Sequence, residues 1–234
     1  MTALLATTVA VPLWLDLAAV AVGTVFGALV AVRRDLDVTG VLGLGVTGGL
    51  GGGVVRDLLI GQTPPIALTS SYYLPMAIAT AAVMVVAHPQ ARRLDDVLDV
   101  FDAIALGLFA VVGASKGIEA GVGPVAGAAV GVIAATAGGV LCDVLSGQRP
   151  YIFGPGPIYG LAAAAGSASY VAVDRIWGSG VAAIAIAIVL TVGLRLLAVY
   201  RGLATRPTTE ARARRWRRRG ASDRERERGA AEAG

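Results

Sequence analysis

The sequence reads Gly51-Gly52-Gly53-Val54-Val55-Arg56-Asp57 in one apolar stretch and Ala137-Gly138-Gly139-Val140-Leu141-Cys142-Asp143 in another, at an offset of 86 residues (143 − 57). The same offset relates further identical pairs without a gap: Asp16 and Asp102, Gly27 and Gly113, Gly45 and Gly131, Gly61 and Gly147, Gln62 and Gln148, Pro64 and Pro150, and Tyr73 and Tyr159. The chain therefore contains two copies of one unit. Because each copy holds three hydrophobic segments, an odd number, we expect the second to enter a membrane from the opposite side, as in many transport proteins with inverted repeats.

The composition indicates a protein of the lipid bilayer. The chain is 56% hydrophobic and 15% charged, with a mean hydropathy of +0.71, which is too apolar for an ordinary soluble domain. Its single cysteine, Cys142, has no partner for an intramolecular disulfide and forms no CxxC metal motif. Residues 1–10 lack the positive n-region of a secretory signal, so the first hydrophobic stretch is predicted to be a retained span.

Hydrophobic segments of about 17 to 25 residues, long enough to cross a bilayer, predict seven transmembrane helices, at residues 11–32, 40–60, 72–88, 98–117, 123–145, 156–173 and 179–200. The predicted fold is all-α and polytopic, with two inverted three-helix repeats and one extra helix that packs against the outside of the pair. The predicted units are an N-terminal segment (1–10), the first repeat (11–88), the second repeat (97–173), the seventh helix (179–200) and a basic tail (201–234).

Basic residues set the predicted orientation, because Lys and Arg in short loops favour the cytoplasmic side. With the N-terminus outside, the inner loops contain Arg33, Arg34, Arg92, Arg93 and Arg149, and the outer loops only Lys116 and Arg175. The tail runs Arg212-Ala213-Arg214-Arg215-Trp216-Arg217-Arg218-Arg219 and is predicted to be cytoplasmic and without a folded core. We expect it to contact anionic lipid headgroups of the plasma membrane rather than nucleic acid.

Glycines inside the second and fifth spans have two interpretations. A run such as Gly51 to Gly53, or the pair Gly138 and Gly139, disfavours a helix interior and can mark a break whose exposed backbone lines a cavity. Small residues in membrane helices also allow close helix packing. Because an aspartate follows the glycines in both copies, we expect broken helices that face each other.

Charges inside apolar spans are the main candidates for function, because they are costly in a bilayer. Asp16 and Asp102 start the first and fourth spans, and Asp57 and Asp143 follow the glycine runs. Adjacent helical side chains diverge, so Arg56 is expected to pair with an acid on another helix. Its counterpart in the second copy is Cys142, so we expect a permeating cation to meet Asp143 without a fixed positive charge nearby.

Three further polar residues have open roles. Lys116 corresponds to Val30 in the first copy, and it is either a snorkelling interfacial side chain or a cationic gate inside a pore. Tyr73 and Tyr159 head the third helix of each unit, as interfacial residues or as hydroxyls that bond the broken helices. His88 is assigned to a solvated loop.

Catalytic patterns are missing from the sequence. It has no GxSxG elbow, no His/Glu/Cys cluster at metal-ligand spacing and no Walker A ending, and the glycine run has membrane-span flanks rather than those of a dinucleotide-binding unit. We therefore expect no enzyme, no metal site and no cofactor.

The doubled motif resembles a known family. GGGxxRD followed by GxxPP at Gly51 to Pro65, its echo at Gly138 to Pro150 and the 3+3+1 layout are similar to the prokaryotic branch of the trimeric intracellular cation (TRIC) channels, also called UPF0126 or glycine-transporter-domain proteins. The resemblance covers about residues 11–200. The second copy departs from the first at Ala137 and Cys142, and the second span lacks the lysine-rich phosphoinositide motif of the animal channels.

The resemblance implies a homotrimer in which each protomer has an hourglass pore for monovalent cations, chiefly K⁺, with K⁺ or Na⁺ present only as a permeant ion. The family's motif positions fall on Gly51, Gly52, Gly53, Arg56 and Asp57, and on Gly138, Gly139 and Asp143. Some bacterial relatives are instead regarded as glycine transporters. Passive K⁺ permeation and alternating-access glycine uptake would use the same residues. A third alternative is a purely structural membrane protein, in which Asp57→Asn and Asp143→Asn would leave transport unchanged.

Overall fold

The computed structural model describes residues 11–87, 94–154, 158–177 and 180–203. The predicted N-terminal segment, His88 and the tail beyond residue 203 lie outside these ranges. Within them the chain forms α1 (Leu13–Arg33), α2 (Val38–Leu59), α3 (Ile66–Thr69), α4 (Tyr73–Ala87), α5 (Leu94–Glu119), α6 (Pro124–Leu145), a 3₁₀ turn (Tyr151–Phe153), α7 (Gly160–Trp177) and α8 (Gly180–Tyr200). The described part of the protein is all-helical, as predicted.

The helices differ in length and in hydrophobicity. Five of the described helices, α1, α2, α5, α6 and α8, are long and apolar enough to cross a membrane. Helix α4 is apolar but has only 15 residues, and α7 contains the charged residues Asp174 and Arg175 near its C-terminal end. The protein is therefore a multi-pass helical membrane protein.

The two copies end their central helices in the same way. Helices α2 and α6 have bounds that differ by the repeat offset at both ends (124 − 38 and 145 − 59). Each is followed by a glycine with positive φ, 74° at Gly61 and 72° at Gly147. The next residue closes the helix end in both copies, where Gln62 N donates to Asp57 O at 2.8 Å and Gln148 N donates to Asp143 O at 2.7 Å. Glycine tolerates this left-handed conformation, which explains the repeated Gly-Gln pair.

The predicted breaks in the second and fifth helices are wrong. Helix α2 continues through Gly51 to Gly53, and α6 continues through Gly138 and Gly139. The glycines instead allow helix backbones to approach each other, which was the alternative interpretation of the pattern. A Cβ on Gly138 would lie 2.9 Å from the carbonyl oxygen of Gly48, closer than real Cβ contacts.

Close backbone contacts also join the other central helices. A Cβ on Gly23 of α1 would lie 2.7 Å from Gly48 O of α2, and a Cβ on Gly52 would overlap the carbonyl oxygen of Ala134 on α6. Helices α1, α2, α5 and α6 form the centre of the bundle, α4 packs on α1 and α2, and α7 packs on α5 and α6. Helix α8 packs on α5 and α7, both from the second repeat.

The packing role of the glycines predicts opposite effects of alanine at two positions on α2. Gly52→Ala should destabilise the protein by about 1 to 3 kcal/mol, because it overpacks the α2–α6 contact. A Cβ on Gly43 would meet no described atom within 4 Å, so Gly43→Ala should be neutral or stabilising by up to about 1 kcal/mol through helix propensity. Thermal unfolding of the purified protein measures both. Equal effects of the two substitutions would contradict the packing role.

Candidate functional site

Asp16 is the centre of one buried polar cluster. Its carboxylate accepts a hydrogen bond from the Tyr73 hydroxyl at 2.7 Å and pairs with Arg56 Nη1 at 3.3 Å. Lys116 Nζ, from the other repeat, contacts the same carboxylate oxygen as Tyr73. We call these residues, with Asp57, the Asp16 cluster; it joins α1, α2, α4 and α5.

Arg56 pairs with two acids. Besides Asp16 it contacts its own neighbour, since Nε donates to Asp57 Oδ1 at 2.9 Å and Nη2 lies 2.8 Å from the same oxygen. The prediction that Arg56 reaches an acid on another helix is confirmed, but its long side chain also folds back on Asp57. The second carboxylate oxygen of Asp57 accepts the backbone N–H of Ile66 at 2.9 Å, so Asp57 fastens the segment after α2.

Burial makes the Asp16 cluster a closed arrangement. Arg56 and Asp57 are 0% exposed and Asp16 is 2% exposed. Two carboxylates and two cations balance in charge, which is required because an unpaired charge in such a place is strongly destabilising. In this state the carboxylate of Asp16 is bound by protein groups and is not accessible to a hydrated ion.

The second repeat has an equivalent cluster around Asp102. The Tyr159 hydroxyl donates to Asp102 Oδ1 at 3.0 Å, which repeats the bond between Tyr73 and Asp16 at the offset of 86 residues. Arg195 Nε donates to Asp102 Oδ2 at 3.0 Å. The guanidinium carbon of Arg195 lies 5.0 Å from the centre of the Tyr159 ring and 5.2 Å from that of Tyr151, within cation–π range. We call these four residues the Asp102 cluster.

Both tyrosines therefore bond carboxylates. The predicted alternative, in which Tyr73 and Tyr159 hydrogen-bond broken helices, is wrong because the helices are continuous and each hydroxyl is used by an aspartate. Their place at the head of a repeat's third helix is explained by this shared bond.

Arg195 was not predicted. It is a lone arginine within α8, the most apolar of the five long helices, and the cost of a charge inside a span would have singled it out. At the position that corresponds to Arg56, Cys142 is uncharged and its Sγ lies 3.5 Å from Leu44 O. Helix α8 thus supplies the cation that the second repeat lacks.

A cavity of about 120 Å³ opens beside the Asp102 cluster. Its wall contains Phe26, Val30, Arg33, Arg34, Leu98, Asp99, Asp102, Gly139, Val140, Asp143, Tyr151, Ile152, Tyr159 and Arg195. The expectation that Asp143 has no fixed positive charge nearby is wrong, because Arg34 and Arg195 line the same cavity. Asp143 is half-buried, and one of its oxygens accepts the backbone N–H of Tyr151 at 2.8 Å. Burial raises the pKa of the Tyr151 hydroxyl, although the Arg195 guanidinium opposes the shift.

A second, much smaller space of about 10 Å³, which we call the constriction, lies next to the cavity at the glycine crossing. Phe26, Asp102, Gly139 and Tyr159 line both spaces, and Gly23, Gly48, Phe109 and Gly138 line the constriction. Asp102 and Lys116 are 14 residues apart on α5, which is about 21 Å along a helix. The Asp16 cluster therefore lies beyond the constriction, toward the opposite end of the bundle.

The remaining predicted site residues lie between the two clusters. Gly51 faces Leu141 and Gly138 across the α2–α6 contact, and Gly53 lies near Arg56. A Cβ on Gly139 would lie 3.1 Å from the Tyr159 hydroxyl. The structure thus brings both sets of glycines to one crossing, flanked by the Asp16 cluster on one side and the Asp102 cluster on the other.

These features define the class: a multi-pass helical membrane protein with a duplicated unit and two buried polar clusters. A family model described as "Glycine transporter" matches the chain twice, at residues 13–89 and 99–175. The chain belongs to this family, whose curated members include UPF0126 membrane proteins.

Two curated relatives illustrate the family. A UPF0126 membrane protein of Deinococcus radiodurans is 36% identical over 155 residues, which cover 66% of this chain and 72% of the relative. The UPF0126 inner membrane protein YadS of Escherichia coli K12 is 34% identical over 140 residues, covering 59% of this chain and 68% of YadS. Neither description is that of an enzyme.

Solved structures with the same fold are TRIC channels. The TRIC orthologue from Rhodobacter sphaeroides is 34% identical, with a TM-score of 0.76 over 81% of this chain and 97% of that one. A structure described as the basis for conductance through TRIC cation channels is 30% identical, with a TM-score of 0.73 over 84% and 96%. A prokaryotic TRIC channel in 0.5 M KCl is 26% identical, with a TM-score of 0.74 over 81% and 96%.

The pairing of Arg195 with Asp102 predicts a double-mutant rescue. Arg195→Leu should destabilise the protein by about 3 to 5 kcal/mol, because it leaves the Asp102 carboxylate buried without its cation. Adding Asp102→Asn should restore much of that loss, since the neutral amide needs no counter-charge. Arg175→Leu, at an exposed arginine of α7, is the control and should change stability by less than about 0.5 kcal/mol. Thermal unfolding in one detergent provides the comparison, and additive losses in the double variant would refute the pairing.

Proposed function

We propose that the protein is a monovalent cation channel that conducts K⁺ passively through each protomer, between α2 and α6. One observation carries the proposal: a cavity lined by three aspartates and three arginines lies on one side of the glycine crossing, and the Asp16 cluster lies toward the other. Such a path has polar groups at both ends and a narrow middle, as a selective pore requires. The channel needs no cofactor, and K⁺ is the permeant ion.

The relatives support this function. All three solved structures described above are TRIC channels, and two of them are described as cation channels. Their likeness extends over at least 81% of this chain.

Because α2 and α6 are continuous helices, the proposed permeation mechanism does not use a broken helix backbone. A cation loses part of its hydration at the cavity, where Asp143 and Asp99 lower its energy. It passes the crossing only when the close contact between Gly48 and Gly138 opens. It then meets Asp16, whose carboxylate is held by Arg56, Tyr73 and Lys116 in the closed state. Conduction requires this carboxylate to be released.

Lys116 is the gate residue in this proposal. Its side chain is 18% exposed and reaches across the repeats to Asp16, which favours a gate over interfacial snorkelling. Arg56 is completely buried and bound by two acids, so it is the less mobile of the two cations. Withdrawal of Lys116 leaves Asp16 with part of its negative charge available to a cation.

The membrane arrangement is part of the proposal. Seven spans form two inverted repeats and an added helix α8, with the N-terminus outside and the C-terminus in the cytoplasm of a plasma-membrane protein. The positions of basic residues support this orientation. The trimeric relatives support a homotrimer, and the basic tail is proposed to contact anionic lipid headgroups.

The glycine-carrier alternative has less support from the geometry. It placed the substrate carboxylate at the N-terminus of a half-helix, and α2 and α6 contain no such break. The family model's description is its remaining support.

The gate proposal predicts that Lys116→Gln raises K⁺ flux several-fold in proteoliposomes, because it removes one of the groups that hold Asp16. Lys116→Arg retains the charge and should stay near the wild-type rate. Arg175→Gln controls for the loss of a basic residue outside the clusters. Flux in Lys116→Gln at or below the wild-type level would show that Lys116 does not close the pathway.

Removing the charge of Asp143, a carboxylate of the cavity, should have the opposite effect on K⁺ flux. Asp143→Asn should lower K⁺ flux several-fold, because a neutral amide attracts a cation less strongly. Asp35→Asn removes a carboxylate from an exposed loop outside this cavity and should leave flux unchanged. If neither variant alters flux while both fold normally, Asp143 has only a structural role.

A further inference from the structure

Two phenylalanines at the constriction break the symmetry of the repeat. At the repeat offset (112 − 26 and 109 − 23), Phe26 of α1 corresponds to Val112, and Phe109 of α5 corresponds to Gly23. Both phenyl rings line the constriction. Glycines and alanines make up much of the remaining wall, so the two rings supply much of the bulk that narrows this space.

The two rings have different surroundings. Phe109 is 3% exposed and belongs to the largest apolar core cluster, and its Cε2 would lie 3.0 Å from a Cβ on Gly23. It is therefore held by close packing. Phe26 is only partly buried, and it lines the cavity as well as the constriction. The ring of Phe26 thus stands at the boundary between the two spaces.

The other residues of this boundary are fixed or have no side chain. Besides Phe26, the residues that line both spaces are Asp102, Gly139 and Tyr159. The Tyr159 hydroxyl donates to Asp102, which also accepts a hydrogen bond from Arg195. A Cβ on Gly139 would lie 3.9 Å from Phe26 Cε1, in ordinary contact. Of these four residues, Phe26 has the one side chain that can turn without breaking a hydrogen bond.

The size of the constriction makes it a barrier to hydrated cations. Its volume of about 10 Å³ is about the least that can hold one water molecule. Hydrophobic constrictions also exclude ions because water leaves them. The cavity next to it, at about 120 Å³, has room for several water molecules. A turn of the Phe26 ring into the cavity would enlarge the constriction.

We propose that the ring of Phe26 is an apolar barrier between the cavity and the glycine crossing. It acts in series with the contact between Lys116 and Asp16 at the other side of the crossing. A cation enters the constriction when the ring turns into the cavity and the contact between Gly48 and Gly138 opens. This inference rests on the proposed channel function and adds to it a residue that controls access from the cavity.

A series of side-chain sizes at residue 26 tests the barrier through K⁺ flux into proteoliposomes. Phe26→Ala should raise the flux several-fold, because it removes the ring, and Phe26→Trp should lower it several-fold, because it adds bulk. Phe26→Leu should lie between the wild type and Phe26→Ala, and it carries the test if the alanine variant does not fold. A residue with only a packing role would lose flux on both enlargement and truncation.

Phe101 provides the matched control. It is another partly buried phenylalanine that packs against the same apolar cluster as Phe26, and it lines neither the cavity nor the constriction. Phe101→Ala should therefore leave K⁺ flux unchanged. Size-exclusion chromatography and circular dichroism establish that each variant is folded.

The double variant Phe26→Ala with Lys116→Gln tests whether the two barriers act in series. Independent barriers contribute additive free energies, so the fold-increase in K⁺ flux of the double variant should equal the product of the two single increases. A double variant that conducts no better than Lys116→Gln alone would contradict a barrier at Phe26.

The outcomes separate this inference from the channel proposal. If the wild type conducts K⁺ and Phe26→Ala conducts equally or less, the barrier is overturned and the channel function stands. If the wild type and all folded variants conduct no K⁺, the channel function fails and the barrier fails with it. Flux that appears or rises in Phe26→Ala, and falls in Phe26→Trp where the wild type conducts, is the result expected.

Discussion

The cost of burying charge is the constraint on which this structure depends. Asp16 and Asp102 lie inside apolar helices, and each is neutralised by a cation and accepts a hydrogen bond from a tyrosine hydroxyl. The two clusters tie five helices together, because their members come from α1, α2, α4, α5 and α8, with Tyr151 and Tyr159 lying before α7. Helix packing through glycine then brings the clusters onto one path.

The two copies satisfy the same constraint with different residues. The first uses Arg56 from its own second helix, and the second uses Arg195 from α8, because Cys142 replaces the arginine. The exchange makes the ends of the path unequal. A cavity opens beside Asp102, whereas Asp16 receives a further cation from Lys116 and is closed. A nearly symmetric sequence thus gives two buried clusters with unequal surroundings.

Much of the fold could be predicted from the sequence, because the repeat offset and the apolar segments locate the helices. The contacts of Arg56 with a second helix also followed from helix geometry. The breaks at Gly51 and Gly138 did not occur, since low helix propensity was outweighed by close backbone packing. Arg195 was missed because comparing the copies gives no counterpart for α8. The sequence left two interpretations of Lys116 open, because its partner Asp16 lies 100 residues away in the chain.

The central claim is passive cation permeation, and it is tested most directly by solute flux into proteoliposomes that contain the purified wild-type protein. K⁺ and labelled glycine are compared over a series of concentrations, with protein-free vesicles as the baseline. The account predicts K⁺ flux that rises with concentration without saturating, and no glycine uptake above the baseline. Saturable glycine uptake without K⁺ conductance would contradict it and establish a carrier.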